Sequence, residues 1–157
     1  MKRNILLVMV LLALAVFSAA CAAQEVSGAS DDATSEPVAS SDGGVEDQAS
    51  LMEALRAAGA QVEAGDSVEQ PFFTVMGQIL KVDGADVQVF EYESAEAMEA
   101  EAALVSADGG SVGTSMMMWM ATPHFFKSGR VLVLYVGDDA AVLDLLKGTL
   151  DNQFAGR

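Results

Sequence analysis

Cysteine, histidine and tryptophan occur once each in this chain, and only 8 of its 157 residues are Lys or Arg, against 23 acids. A single cysteine rules out an intramolecular disulfide, so any folded body must stand on its apolar core alone. The shortage of cations, with a formal net charge of −15, argues against a surface made for phosphate backbones or anionic headgroups. Nucleic acid is therefore not an expected partner. The patterns GxxxxGKS/T, GxGxxG, GxSxG and CxxC are all missing. Gly109-Gly110-Ser111-Val112-Gly113 has the glycines of a phosphate loop without its lysine, and it precedes a strand-like run. Asp83 to Asp86 supplies only two acids where a calcium loop needs several in alternation. The apolar run from Ile5 to Phe17 falls short of the ~20 residues that a permanent membrane-spanning helix requires.

That run has a different use. Lys2 and Arg3 precede it, and small residues follow, in the order of a secretory signal. Ser18-Ala19-Ala20-Cys21 resembles the lipobox of bacterial lipoproteins. The likeness covers only this segment, and it implies diacylglyceryl transfer to the Cys21 thiol with cleavage before it. Residues 1–20 are then a signal peptide, and Cys21 becomes the lipidated N-terminus, fastened to a membrane by acyl chains worth roughly 0.8 kcal/mol per buried CH₂. An ordinary signal cut at an Ala-x-Ala site, with Cys21 incidental, is the competing reading. The implied location is lipid-anchored, facing the periplasm or the cell exterior. Loss of residues 1–20 leaves six cations against all 23 acids, a balance near −17.

Residues 21–49 are expected to be a disordered acidic tether. The stretch after Cys21 holds seven acids, no Lys or Arg and no aromatics, too little apolar surface to offset its ordering entropy. As a coil of ~28 residues it reaches on the order of 30 Å. Residues 50–157 are expected to form one compact α+β domain in the order α-β-ββα-ββα, a mostly antiparallel sheet with helices mainly on one face. Ser50-x-x-Glu53 reads as a capping box ahead of Leu51 and Leu55. Asp83-Gly84 between β-rich runs predicts a two-residue hairpin. Ser94 caps a helix reaching about Val105, and Asp138 caps a last one carrying Val142, Leu143, Leu146 and Leu150. Thr114 to Ala121 and Arg130 to Val136 are expected strands, joined through an aromatic-rich turn at Pro123 to Phe126. Val87–Ser94 weakly echoes Val131–Asp138.

The later strands are apolar on both sides, which requires two covers. Either a loop closes the second sheet face, or that face meets another molecule. Trp119, His124, Phe125 and Phe126 are accordingly the candidate binding residues. Met116, Met118, Met120 and His124, with Trp119, form a set similar to that of periplasmic Cu(I) carriers. Methionines consecutive in a strand more often fill core gaps, and that is the expectation here. His124 as a general base lacks a nucleophile beyond Ser128, and acid pairs such as Glu91/Glu93 and Asp138/Asp139 arise by abundance. The domain as a whole resembles small bacterial lipoproteins with one compact α+β domain, a likeness that implies no activity. The expected role is non-enzymatic and needs no cofactor: a membrane-tethered binding module, with an envelope protein or a second copy as partner, or else a copper handler.

Overall fold

A computed structural model describes residues 44–150 and 153–156. The expected signal, Cys21 and the tether as far as residue 43 lie outside the described residues. The elements in order are α1 (Gln48–Ala57), β1 (Val62–Val68), β2 (Gly77–Val82), β3 (Ala85–Glu91), α2 (Ala95–Ala102), β4 (Ser111–Val112), β5 (Ser115–Met116), β6 (Pro123–Ser128), β7 (Val131–Val136), α3 (Ala140–Thr149) and β8 (Ala155–Gly156). The six-stranded sheet runs β1-β2-β3-β7-β6-β8 with antiparallel pairs, and β4-β5 form a separate small hairpin. An α+β fold with a mostly antiparallel sheet is what the patterning predicts.

The β2-β3 hairpin forms where Asp-Gly announced it. Asp83 (φ 50°) and Gly84 (φ 88°) both take left-handed backbone, the type I′ geometry whose twist suits an antiparallel pair. Beside it, β3 pairs with β7, and Val131 to Leu134 are all wholly buried. Alternation divides their side chains into two cores. Val87, Val89, Val131 and Val133 meet Leu51 and Leu55 of α1 and Val142 and Leu146 of α3. Phe90, Leu132, Leu134 and Phe125 meet Met98 and Ala102 of α2, together with Phe73, Trp119 and Phe154 from connecting segments. Both sheet faces are thus covered, so the uncovered-face expectation gives way: loops and α2 close the second face. Because α2 and α3 lie on opposite faces, the echoing segments do not form a symmetric pair of ββα units.

Several boundaries move, each for a physical reason. The expected strand 114–121 shrinks to Ser115–Met116, and the partner of β7 is Pro123–Ser128, the segment read as a turn. Pro123 is tolerated there because it is the first residue of its strand. The first helix starts earlier. Asp47 is its N-cap, accepting from the Ser50 backbone N–H at 2.9 Å, while the Ser50 hydroxyl answers the cap's own N–H at 3.0 Å. Ser50 is therefore the third helical residue and not the cap, and Val45 (4% exposed) already belongs to the folded body. The last helix is capped by Asp139, which accepts from Ala141 and Val142, one residue beyond the expected Asp138. The second helix ends at Ala102, since Val105 turns out to bridge to Val112.

The segment before α1 is strapped to the β6-β7 turn. Ser128 Oγ donates to the Val45 carbonyl at 2.8 Å, and the Arg130 backbone N–H donates to Glu46 at 2.9 Å. Gly129 (φ 52°) lies so close beneath that a Cβ would collide with the Glu46 backbone. The Arg130 guanidinium reaches Glu91 at 2.7 Å and Asp47 at 3.4 Å. Bonds from the Ser50 backbone N–H and hydroxyl, aided by Arg130, hold the Asp47 carboxyl below its usual 3.8. A depressed folded value contributes stability above the unfolded value that fades as pH falls through the folded one. Asp47→Ala should therefore cost about 1 kcal/mol near neutrality, and the gap from wild type should close on acidification below pH 3.8. A gap in urea midpoints that ignores pH would contradict this role. Gly129→Ala should destabilise by roughly 1–3 kcal/mol at any pH.

Candidate functional site

The segment after β5 carries the molecule's most unusual surface, and its neighbours dictate that surface. Gly109 takes φ 69°, and a Cβ there would press on Pro123 at 3.0 Å and Phe125 at 3.1 Å, so only glycine lets this loop lie against the sheet. The loop then offers its backbone as a dock. The Gly109 carbonyl accepts from the Trp119 indole Nε1–H at 2.7 Å, and the Gly110 carbonyl accepts from the Met117 N–H at 2.9 Å. The Trp119 ring meets Phe125 edge-on at 6.0 Å and Phe72 at 6.1 Å. Such aromatic pairs add about 0.5–1.5 kcal/mol beyond the area they bury.

Met117 and Trp119 point inward against the aromatic core. Alternation then turns their neighbours outward: Met116 is 90% exposed, Met118 98% and Met120 102%. The core-filling expectation for these three methionines is overturned. The two inward positions are taken, one by the bulkier indole, and the short strand leaves no further layer above it. Burying one methionine side chain is worth about 1.5–3 kcal/mol, and this loop forgoes that three times. Single exposed apolar residues are ordinary, whereas several on one loop mark a working surface.

The other expected site residues are elsewhere. Phe125 and Phe126 are wholly buried, one in each core, and are not a surface. His124 (5% exposed) stacks on Tyr135, with Nδ1 3.1 Å from Gln153 Oε1. Its Nε2 is buried with no partner among the described residues. Strand alternation puts His124 on the face opposite Phe125 and Trp119, so the structure does not bring it to the three methionines. Ser128 lies four strand residues away, about 13 Å along the strand, and its hydroxyl is engaged by Val45. No group of three or more His, Cys, Asp or Glu suited to a metal ion occurs among the described residues.

One member of each surface acid pair is engaged, as are both acids of the turn from Asp83 to Asp86. Glu91 pairs with Arg130 and accepts from the Gln48 N–H, Asp139 caps α3, Asp83 accepts from the Gln61 N–H, and Asp86 pairs with Lys81. Burial, and then the Glu101 carboxylate, push the Tyr92 phenol far up, so it stays protonated. Beside Trp119 is an open hollow of about 430 Å³ walled in part by Asp108 and Asp138. Asp108 accepts from Ser106 Oγ at 2.8 Å and the Gly110 N–H at 2.9 Å, which stiffens the dock and gives this side of the loop a negative field.

Stability should divide along the same line. Trp119→Ala removes a wedge and leaves the Gly109 carbonyl unpaired, with an expected cost of about 3 kcal/mol by urea unfolding. Replacing Met116, Met118 and Met120 together by Leu should shift stability by no more than about 0.5 kcal/mol per site. A triple variant as damaged as the Trp119 variant would show that the methionines are packed. No protein-family model, curated protein or solved structure matches this chain, so its site stands on this geometry alone.

Proposed function

We propose that this protein is a non-enzymatic binding module, held to the outer side of a cell membrane by lipid on Cys21, and that its contact element is the Met116–Met120 loop. The observation that carries the reading is the display of three large apolar side chains, 90% to 102% exposed, by a loop whose intervening residues are firmly docked. A loop held by an indole hydrogen bond and two ring contacts presents its outer side chains with little ordering cost on binding. Methionine suits such a role, being flexible and polarizable enough to adapt to what it touches.

The address rests on the N-terminal pattern: a basic start, a short apolar run, small residues and the sole cysteine. Among the described residues, no helix is long and apolar enough to cross a membrane. The acid surplus suits a body that stays off anionic headgroups. The general-base reading of His124 draws no support from its surroundings: it is buried beside Tyr135 and Gln153, and the Ser128 hydroxyl is engaged by Val45. The four-residue copper centre loses His124, leaving a set of three thioethers.

Methionine oxidation tests the reading without naming a ligand. In the native envelope, Met116, Met118 and Met120 should form sulfoxide more slowly under dilute peroxide than in the purified mature chain carrying Cys21→Ser, while Met76 (66% exposed) reacts alike in both. Equal rates in both settings would remove the loop from function. In the same cells, labelled palmitate should enter the wild type and not Cys21→Ala; equal labelling, or none in either, would remove the anchor.

A further inference from the structure

We propose that Met116, Met118 and Met120 form a thioether site for Cu(I). The inference rests on the loop being the contact element, and it names the ligand. Three arguments lead to it. The first is donor chemistry. Thioether sulfur is soft and uncharged, and it prefers Cu(I) to the harder zinc, calcium or magnesium ions. The second is placement. The three residues alternate with the inward Met117 and Trp119, so all three side chains face solvent within one five-residue stretch. Each has three rotatable bonds and no packing partner to hold it back, which lets the sulfurs converge on one ion. The third is the field: Asp108 and Asp138 line the adjoining hollow and draw a cation toward a surface with few positive groups.

An adaptable apolar contact would use methionine's flexibility, and a soft metal uses its sulfur as well. Imidazole is not a donor here, since His124 is on the other face of the sheet. That gives the site a signature. Imidazole and thiolate ligands must lose a proton before they bind metal, so their affinity rises with pH. Thioethers carry no such proton, and binding by this triad is level between pH 5 and 8. Trp119 stands between Met118 and Met120 and is the chain's sole tryptophan, so its emission reports occupancy directly.

The test uses the mature chain carrying Cys21→Ser, which removes the competing thiol, with methyl-labelled methionine. Ag(I), which shares the softness of Cu(I) without its redox chemistry, is titrated first, then Cu(I) under argon, with Zn(II) as the contrast. One equivalent of Ag(I) or Cu(I) should shift the methyl signals of Met116, Met118 and Met120 and quench Trp119 equally at pH 5 and 8. Met52, Met76 and Met98 should not move, and Zn(II) should do nothing. The variant Met116→Leu/Met118→Leu/Met120→Leu should lose the response, and Met76→Leu should keep it. Three results would overturn the proposal: no saturable shift, shifts shared equally by Met76, or a response retained in the triple variant. Met118→Leu alone keeps the test valid if the triple variant folds poorly. Should Ag(I) and Cu(I) fail while the loop is still protected from oxidation in the envelope, the loop binds something other than a soft metal. Should both fail, the binding-module reading goes too.

Discussion

Strand β7 has no polar face. Val131, Val133 and Tyr135 look one way and Leu132 and Leu134 the other, all buried, and β3 beside it adds Val87 and Val89 to the first face and Phe90 to the second, which it shares with the half-buried Gln88. Two central strands of this kind oblige the chain to supply two covers, because a wholly buried valine or leucine is worth about 1.5–3 kcal/mol only if water is kept from it. Helices α1 and α3 provide one cover. The second has only the eight-residue α2 and must be completed by loops. Phe72, Phe73, Trp119 and Phe154 come from outside the regular elements and are spent on that task. The aromatic contacts, the glycine at 109 and the docked indole all follow from the need to roof Leu132, Leu134 and Phe125.

The exposed methionines are a by-product of the same constraint. A segment that lends Met117 and Trp119 to the roof must turn Met116, Met118 and Met120 to water. A neutral by-product would be made of serine or threonine, which cost nothing in solvent. The chain instead places its softest donor at each outward position, on a body with a large acid surplus. That combination is what motivates the proposal that the loop meets a ligand. Lipid attachment through Cys21, on the present proposal, puts the surface where an exported protein would meet that ligand.

Much of this fold is legible from residue order. Asp83-Gly84 marks its hairpin because both residues tolerate left-handed backbone. Ser94 caps α2 as read, and Leu51, Leu55, Val142, Leu146 and Leu150 form the inward stripes of their helices as spaced. The two-sided apolar pattern of β7 correctly demands two covers. What escaped was the choice between two adjoining β-like segments. Residues 114–121 and 123–128 have similar strand character, and Pro123 argues for a turn unless it happens to open a strand. Pairing β7 with the second segment buries Phe125 and Phe126 in separate cores, a gain visible only once both covers exist. It also fixes which methionines face out, since a one-residue change of register exchanges the two sides of a strand. The residue order of Met116 to Met120 permits two alternating faces, and only the packed sheet decides which one turns inward. His124 illustrates the same limit, being four residues from Met120 yet on the far side of the sheet.

The account stands on Met117 and Trp119 facing inward while their three neighbours face water. A methyl-detected nuclear Overhauser spectrum of the methionine-labelled chain measures this directly. The Met117 methyl group should show contacts with the protons of the aromatic core, and those of Met116, Met118 and Met120 should show none beyond their immediate neighbours. The reverse pattern, with Met118 and Met120 in contact with Phe125 or Phe72 and Met117 silent, would contradict it.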